Sequence, residues 1–216
     1  MRSTIHREEV REAILDAAIR LVEHYGYRKT TMDDLAREAN VGKGTLYLYF
    51  RSKEDVVLSV GDRINERLRA QLEAIADSAA PAVERIRQIL RTRILYRLDR
   101  VVELHQGPSV LYHDLWPALA SRRDQYDEAE AAVLERVIRD GIARGELTCP
   151  DPPLWARALI WGTNSQLPHN LSPDQMRDRG SVHERIEALA RVLIGSLCPD
   201  LRAAHQPGSP AGNSSH

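Results

Sequence analysis

The sequence predicts an all-α protein, and three observations carry that prediction. Apolar residues recur at three- and four-residue spacing along nearly the whole chain, no alternating strand pattern persists, and Ser, Thr or Asp stands at the start of several amphipathic runs. With 216 residues, 43% of them hydrophobic and 28% charged, the chain can bury a real core in one or two domains. A net charge of −1 argues against a general nucleic-acid coat protein. No apolar run approaches the roughly 20 residues that span a bilayer. The start, MRSTIHREEV, lacks the apolar stretch of a secretory signal. Cys149 and Cys198, each followed by proline, suit a reducing compartment and supply no disulfide framework, so the expected location is the cytoplasm.

The first helix is expected from about His6 to Tyr25, with Val10, Ile14, Ala17, Leu21 and Tyr25 on one stripe and Gly26 ending it. Thr31 caps the second, Asp34 holding the capping-box position, and Leu35, Ala36 and Ala39 face inward. Asn40 tolerates the left-handed geometry of a tight turn. A third helix, Lys43 to Phe50, turns Leu46 and Phe50 inward. Ser52 caps a fourth, with Asp55 three residues on, and Val57, Val60, Ile64, Leu68, Leu72 and Ile75 stripe it to about Ala76. After Pro81 the fifth carries Val83, Ile86, Leu90, Ile94, Leu98 and Val101. A break at Gln106–Pro108 precedes a short sixth piece, Val110 to Leu115, and a long seventh from Pro117 to Arg144, stopped by Gly145. Asp151 caps the eighth, with Pro152 and Pro153 in its first turn and an end near Asn164. A polar loop from Gln166 to Gly180 leads to Ser181, which caps the ninth with Glu184 closing the box. Residues 203–216 read as a disordered tail.

The third helix carries the chemistry. A helix that reads DNA exposes short or donor-bearing side chains to base edges, while cations at its flanks hold phosphate. Lys43, Gly44, Thr45, Tyr47 and Tyr49 fall on its outward positions, and Gly44 lets the backbone approach a groove closely. Thr31 and Lys53 stand at flanking helix starts, where N–H groups and the helix dipole favour phosphate. From Arg37 to Lys53 four basic residues face one acid, Glu38, so the cationic footprint is small and local. A plain three-helix packing unit would leave exposed Tyr47 and Tyr49 unexplained.

The runs TTMDDLAREA (30–39), Val41, KGTLYLYF (43–50) and SKED (52–55) resemble the TetR family of bacterial transcriptional regulators. The motif match covers roughly residues 8–60; beyond it the likeness is one of helix count, helix lengths and the IARGEL phrase ending at Leu147. The resemblance implies a helix-turn-helix DNA-binding domain over 1–52 and a ligand-binding and dimerisation domain over 53–202. It puts DNA contacts at Thr31, Lys43, Gly44, Thr45, Tyr47, Tyr49 and Lys53, with Gly42 where a hydroxyl residue often caps the recognition helix. It also implies a homodimer on a palindromic double-stranded operator, most often as a repressor released by a small-molecule effector, anionic or lipophilic. An activator, or a partner-binding helical module on the same fold, is the alternative. No nucleophile elbow, phosphate loop, zinc motif or paired-carboxylate signature points to an enzyme.

In the second half, Tyr96, His105, Tyr112, His113, Trp116, Trp161 and Asn164 are candidates to line an effector pocket. No i, i+4 pair of metal ligands joins His105, His113 and Asp114, so no metal and no cofactor is expected. Between Arg85 and Arg100 stand six arginines and one acid, Asp99. Arg93, Arg97 and Arg100 share a face. They either pair with Asp124, Asp127, Glu128 and Glu130 or form a subsite for an anionic effector. The eighth and ninth helices, with Leu154, Leu159, Ile186, Leu189, Leu193 and Leu197, are expected to form the dimer interface.

Overall fold

The computed structural model describes residues 2–103 and 108–195, and side chains within 6–100 and 122–195. Nine α-helices follow one another among the described residues, with two short 3-10 turns and no strand. They are α1 (Arg2–Tyr25), α2 (Met32–Glu38), α3 (Lys43–Tyr49), α4 (Lys53–Ala76), α5 (Ala82–Glu103), α6 (Pro108–Ala143), α7 (Pro152–Thr163), α8 (Pro173–Arg177) and α9 (Arg179–Gly195). No described helix is long and apolar enough to cross a membrane.

Local signals set the first three helices. Gly26, at φ 80°, and Asn40, at φ 55°, supply the left-handed residues that end α1 and turn the chain between α2 and α3. The Thr31 hydroxyl accepts from the Asp34 amide at 3.1 Å while the Asp34 carboxylate accepts from the Thr31 amide at 3.1 Å, a complete capping box. The three helices then close on a core of Ile14, Leu15, Ala18, Leu21, Leu35, Ala36, Leu46 and Phe50. Tyr25, expected on the inner stripe, is 53% exposed, because the chain turns away at Gly26.

α4 belongs to both halves. Val56 completes the N-terminal core, whereas Leu68, Leu72 and Ala76 enter a larger one with Ile86, Ile89 and Leu90 of α5, Leu134 and Ile138 of α6, and Leu159 of α7. Ser52 caps α4, but Asp55 accepts from the Arg51 amide at 3.0 Å, one residue earlier than a standard box. Two tight approaches fix the C-terminal half. A Cβ on Gly141 would stand 2.6 Å from that of Ala82, and one on Gly162 would stand 2.8 Å from Leu193 Cδ1.

Four expectations need correction. The separate sixth and seventh helices are one continuous α6, with Pro117 inside it. Leu111, Leu115 and Leu119 run in phase across that proline, so one helix serves both segments. The supposed polar loop after Gln166 holds two 3-10 turns and α8, whose capping box is Ser172 with Gln175. Ser181 caps nothing; its amide donates to the Asp178 carboxylate at 3.0 Å inside the first turn of α9. Finally, Leu159 and Ile186 are fully buried within the chain itself, so neither is available to a partner. The Gln106 break, His105, Leu197 and the 203–216 tail lie outside the described residues, as do the side chains of Tyr112, His113 and Trp116.

Candidate nucleic-acid interface and the polar chain behind it

Leu46 and Phe50, both in the N-terminal core, fix the rotation of α3 and so decide what the helix shows outward. Lys43, Gly44 and Tyr47 are exposed, and Thr45 and Tyr49 are half-buried. Leu48 is 79% exposed and was missed by the sequence reading, which admitted only polar and aromatic contacts. Two residues from each of the inward pair, it had to point outward, and an apolar side chain there suits a thymine methyl group. A Cβ added at Gly44 would meet nothing, so the helix face is open at that point. Gly42 caps α3 through its backbone conformation, without a side-chain bond.

The expected cations do not project freely. Lys43 Nζ stands 2.7 Å from the Asp33 carboxylate, and that hydrogen bond raises the Lys43 pKa. Lys53 Nζ donates to the Tyr27 carbonyl at 2.8 Å and lies 4.3 Å from the Tyr27 ring centroid. The Thr31 hydroxyl donates to Asp34 at 2.6 Å, which holds the Asp34 carboxyl below its ordinary pKa. Arg7 of α1 stands 5.9 Å from the Tyr49 ring centroid, and Arg11 stands 5.9 Å from that of Phe50.

In the other half the helix-5 arginines meet acids. Arg93 is fully buried. Its Nε donates to Glu130 at 2.7 Å, Nη1 to the Thr163 hydroxyl at 2.8 Å and Nη2 to Asn164 Oδ1 at 2.8 Å, with Asp127 3.5 Å away. Arg97 donates to Glu130 and, at 2.7 Å, to Asn65 of α4. Burial pushes the Glu130 carboxyl upward, but the two guanidinium groups overcome it and hold its pKa below the ordinary value. Arg85, also buried, pairs with Asp140, and Arg87 reaches Glu187 of α9 at 2.5 Å. Tyr96 stacks with Arg100 at 5.5 Å. Trp161 is 57% exposed and lines a groove of about 300 Å³ with Asp124, Asp127, Glu128, Arg157 and Ile160. No cluster of metal ligands occurs among the described residues.

One turn of α4 joins these parts. Asp62 accepts from Arg122 and, at 2.5 Å, from the Tyr126 hydroxyl of α6. Arg63, 5% exposed, donates to Glu12 at 2.9 Å and Asp16 at 2.8 Å on α1. Asn65 accepts from Arg97 of α5.

A small helix-turn-helix unit, tied through one long helix to a larger helical domain with an internal polar chain, is the architecture of a one-component DNA-binding regulator. Residues 14–60 match the family described as bacterial regulatory proteins, tetR family. The HTH-type transcriptional repressor LfrR of Mycolicibacterium smegmatis is 26% identical over 194 residues, covering 88% of this chain and 92% of LfrR. A TetR-family transcriptional regulator from Pectobacterium atrosepticum superposes with a TM-score of 0.71 at 22% identity, covering 90% of this chain and 97% of that one. FadR of Bacillus subtilis, solved in complex with stearoyl-CoA, superposes with a TM-score of 0.61 at 19% identity, covering 86% and 98%. Residues 14–60 are thus a DNA-binding domain of the TetR family, and the chain is similar over most of its length to transcriptional regulators of that family.

Proposed function

We propose that this chain is a homodimeric repressor that reads a palindromic operator with two copies of α3 and leaves it when a small molecule binds the α5–α7 region. The observation that carries this reading is the face of α3: Lys43, Gly44, Tyr47 and Leu48 turned to solvent on a helix locked from behind by Leu46 and Phe50. Thr45 completes the base-facing set, with Thr31, Gly42 and Lys53 at its phosphate edges and Tyr49 half-buried beside it. Lys43 and Lys53 exchange their protein partners for phosphate on binding, an exchange of like interactions that keeps its energetic cost small.

One short recognition helix makes too few base contacts for specific affinity, so a two-fold pair is needed. The outer faces of α7 and α9 suit that pairing. Leu154, Trp161 and Val192 are exposed there, and Leu189 and Leu193 are half-buried beside them. LfrR is named a repressor and FadR was solved with a lipophilic anion, and both support the sign and the effector class proposed here. The Arg93 and Arg97 donors already have protein acceptors, so an anionic effector acts by competing with Glu130 and Asp127 for them. Asn164 belongs to that chain, accepting from Arg93 and donating to Asp127 at 2.9 Å, and Asp127 shares the groove with Trp161. Loosening Arg97 releases Asn65 and shifts α4, and with it the spacing of the two α3 helices.

The test is gel retardation with duplexes from upstream of the protein's own coding sequence. The wild type should retard one of them specifically, and Tyr47→Ala should lose about 1–3 kcal/mol of discrimination over a scrambled duplex. Equal binding to every duplex by the wild type would remove the operator reading.

A further inference from the structure

We propose that Arg7 is a DNA-contact residue, its guanidinium binding a backbone phosphate just outside the bases that α3 faces, with Tyr49 as the platform that holds it there. The inference rests on the DNA-binding reading above and adds a residue outside the helix-turn-helix motif.

Arg7 lies on the first turns of α1, exposed, with its Cζ 5.9 Å from the centre of the Tyr49 ring. Tyr49 closes α3 and is half-buried against Phe50, their ring centroids 6.5 Å apart, so its ring is part of the wall rather than a free probe. Arg11, one turn along, lies 5.9 Å from the Phe50 ring centroid but also meets Glu12 at 3.8 Å, so among the described residues Arg7 alone on this edge is held by an aromatic face without an acid. At Arg7 the edge of α1 therefore continues the surface of the recognition helix with a cation.

Acidic residues nearby face elsewhere. Glu12 and Asp16 lie on the side of α1 turned to α4, where Arg63 takes both and Arg67 approaches Glu12 at 3.5 Å. Glu9 pairs with His6 at 3.9 Å. Glu8 follows Arg7 about 100° further round the helix. Arg7 itself makes no ion pair with a described residue, in contrast to Lys43, which Asp33 holds. A guanidinium left without an acid and oriented by an aromatic face is suited to the planar, two-pronged recognition of a phosphate.

This assignment gives Tyr49 a different task from Tyr47. Tyr47 is exposed and faces bases, whereas Tyr49 is a positioning residue that acts through Arg7.

The full-length protein is titrated onto the upstream duplex and onto a scrambled duplex of equal length, from about 50 to 200 mM salt. Arg7→Ala should weaken both duplexes about tenfold and lower the salt slope by about 0.9 per subunit, since a phosphate contact carries no sequence information. Arg7→Lys should restore most of the slope, and Tyr49→Leu should lower it as Arg7→Ala does, with no further loss in the double variant. Arg7→Gln serves as a second neutral variant if Arg7→Ala melts earlier than the wild type. An unchanged slope in Arg7→Ala overturns the proposal, and so does a loss confined to the upstream duplex. Additive losses from Tyr49→Leu and Arg7→Ala overturn the platform role. A wild-type protein that binds neither duplex overturns the DNA-binding reading as well, which separates the two failures.

Discussion

The two halves of this molecule treat charge in opposite ways. In the recognition unit the Lys43 and Asp33 side chains meet at 2.7 Å yet remain 60% and 57% exposed. In the regulatory half Arg93 and Glu130 meet at the same distance with 0% and 4% exposure. An exposed pair contributes little to stability, because water and salt screen it and two long side chains must be held in place. It can therefore be traded for a phosphate at small cost. A buried pair is different: removing either partner strands a charge in a medium that cannot solvate it. The comparison teaches that the output surface is built from replaceable contacts, and the coupling machinery from contacts that cannot be lost singly.

The largest effect should come from breaking the buried chain. Arg93→Ala should lower unfolding free energy by about 3–5 kcal/mol, measured by urea titration, because Thr163 and the Asn164 side-chain oxygen lose their donor and the buried Glu130 keeps only Arg97. Replacing Arg93 and Glu130 together by Met and Leu should recover part of that loss, since an apolar pair needs no partners and Arg97, which loses Glu130, keeps Asn65. A full loss in the double variant would mean that the remaining polar groups, not the ion pair, dominate.

The same chain should show in the acid limb of stability. The Glu130 carboxyl is held below its ordinary value of 4.5 once folded. Its contribution is therefore complete above the unfolded pKa and disappears as pH falls through the lower folded one. Melting temperature measured against pH should fall on acidification, and Glu130→Gln should flatten that fall while lowering the plateau. An unaltered acid slope in Glu130→Gln would shift the weight to other carboxylates. A smaller effect belongs to the N-terminal unit, where Thr31→Ala should cost about 1 kcal/mol through the lost capping box.

What could be read from the sequence follows the same division. The helix-turn-helix was legible because its signals are local: Thr31 and Asp34 at box spacing, Asn40 at the turn, Leu46 and Phe50 one turn apart. Leu48 was legible by the same rotation but not admitted, since an exposed leucine looks like an error unless the surface it sits on is taken to bind something. The arginines of α5 are the opposite case. Their spacing put Arg93 and Arg97 on one face, but whether that face meets water or carboxylates depends on where α4, α6 and α7 sit, which is a tertiary fact. The long α6 failed to appear because Pro117 weighs heavily in a local reading, at about 3 kcal/mol in a helix interior, while the packing that outweighs it is non-local. Ser181 and Ser172 both precede helix-like runs, and only the structure shows that Ser172 has its reciprocal partner.

The smallest stability effect is the sharpest test of the comparison. Lys43→Ala removes an ion pair with the same 2.7 Å distance as that of Arg93 and Glu130, so distance alone would predict equal costs. Exposure predicts otherwise. Unfolding free energy should change by less than about 0.5 kcal/mol, while affinity for any duplex falls and the salt slope drops by about 0.9 per subunit. A loss of stability comparable to that of Arg93→Ala would show that the Asp33 pairing holds α2 to α3. In that case Lys43 could not be released to DNA without loosening the recognition unit that presents it.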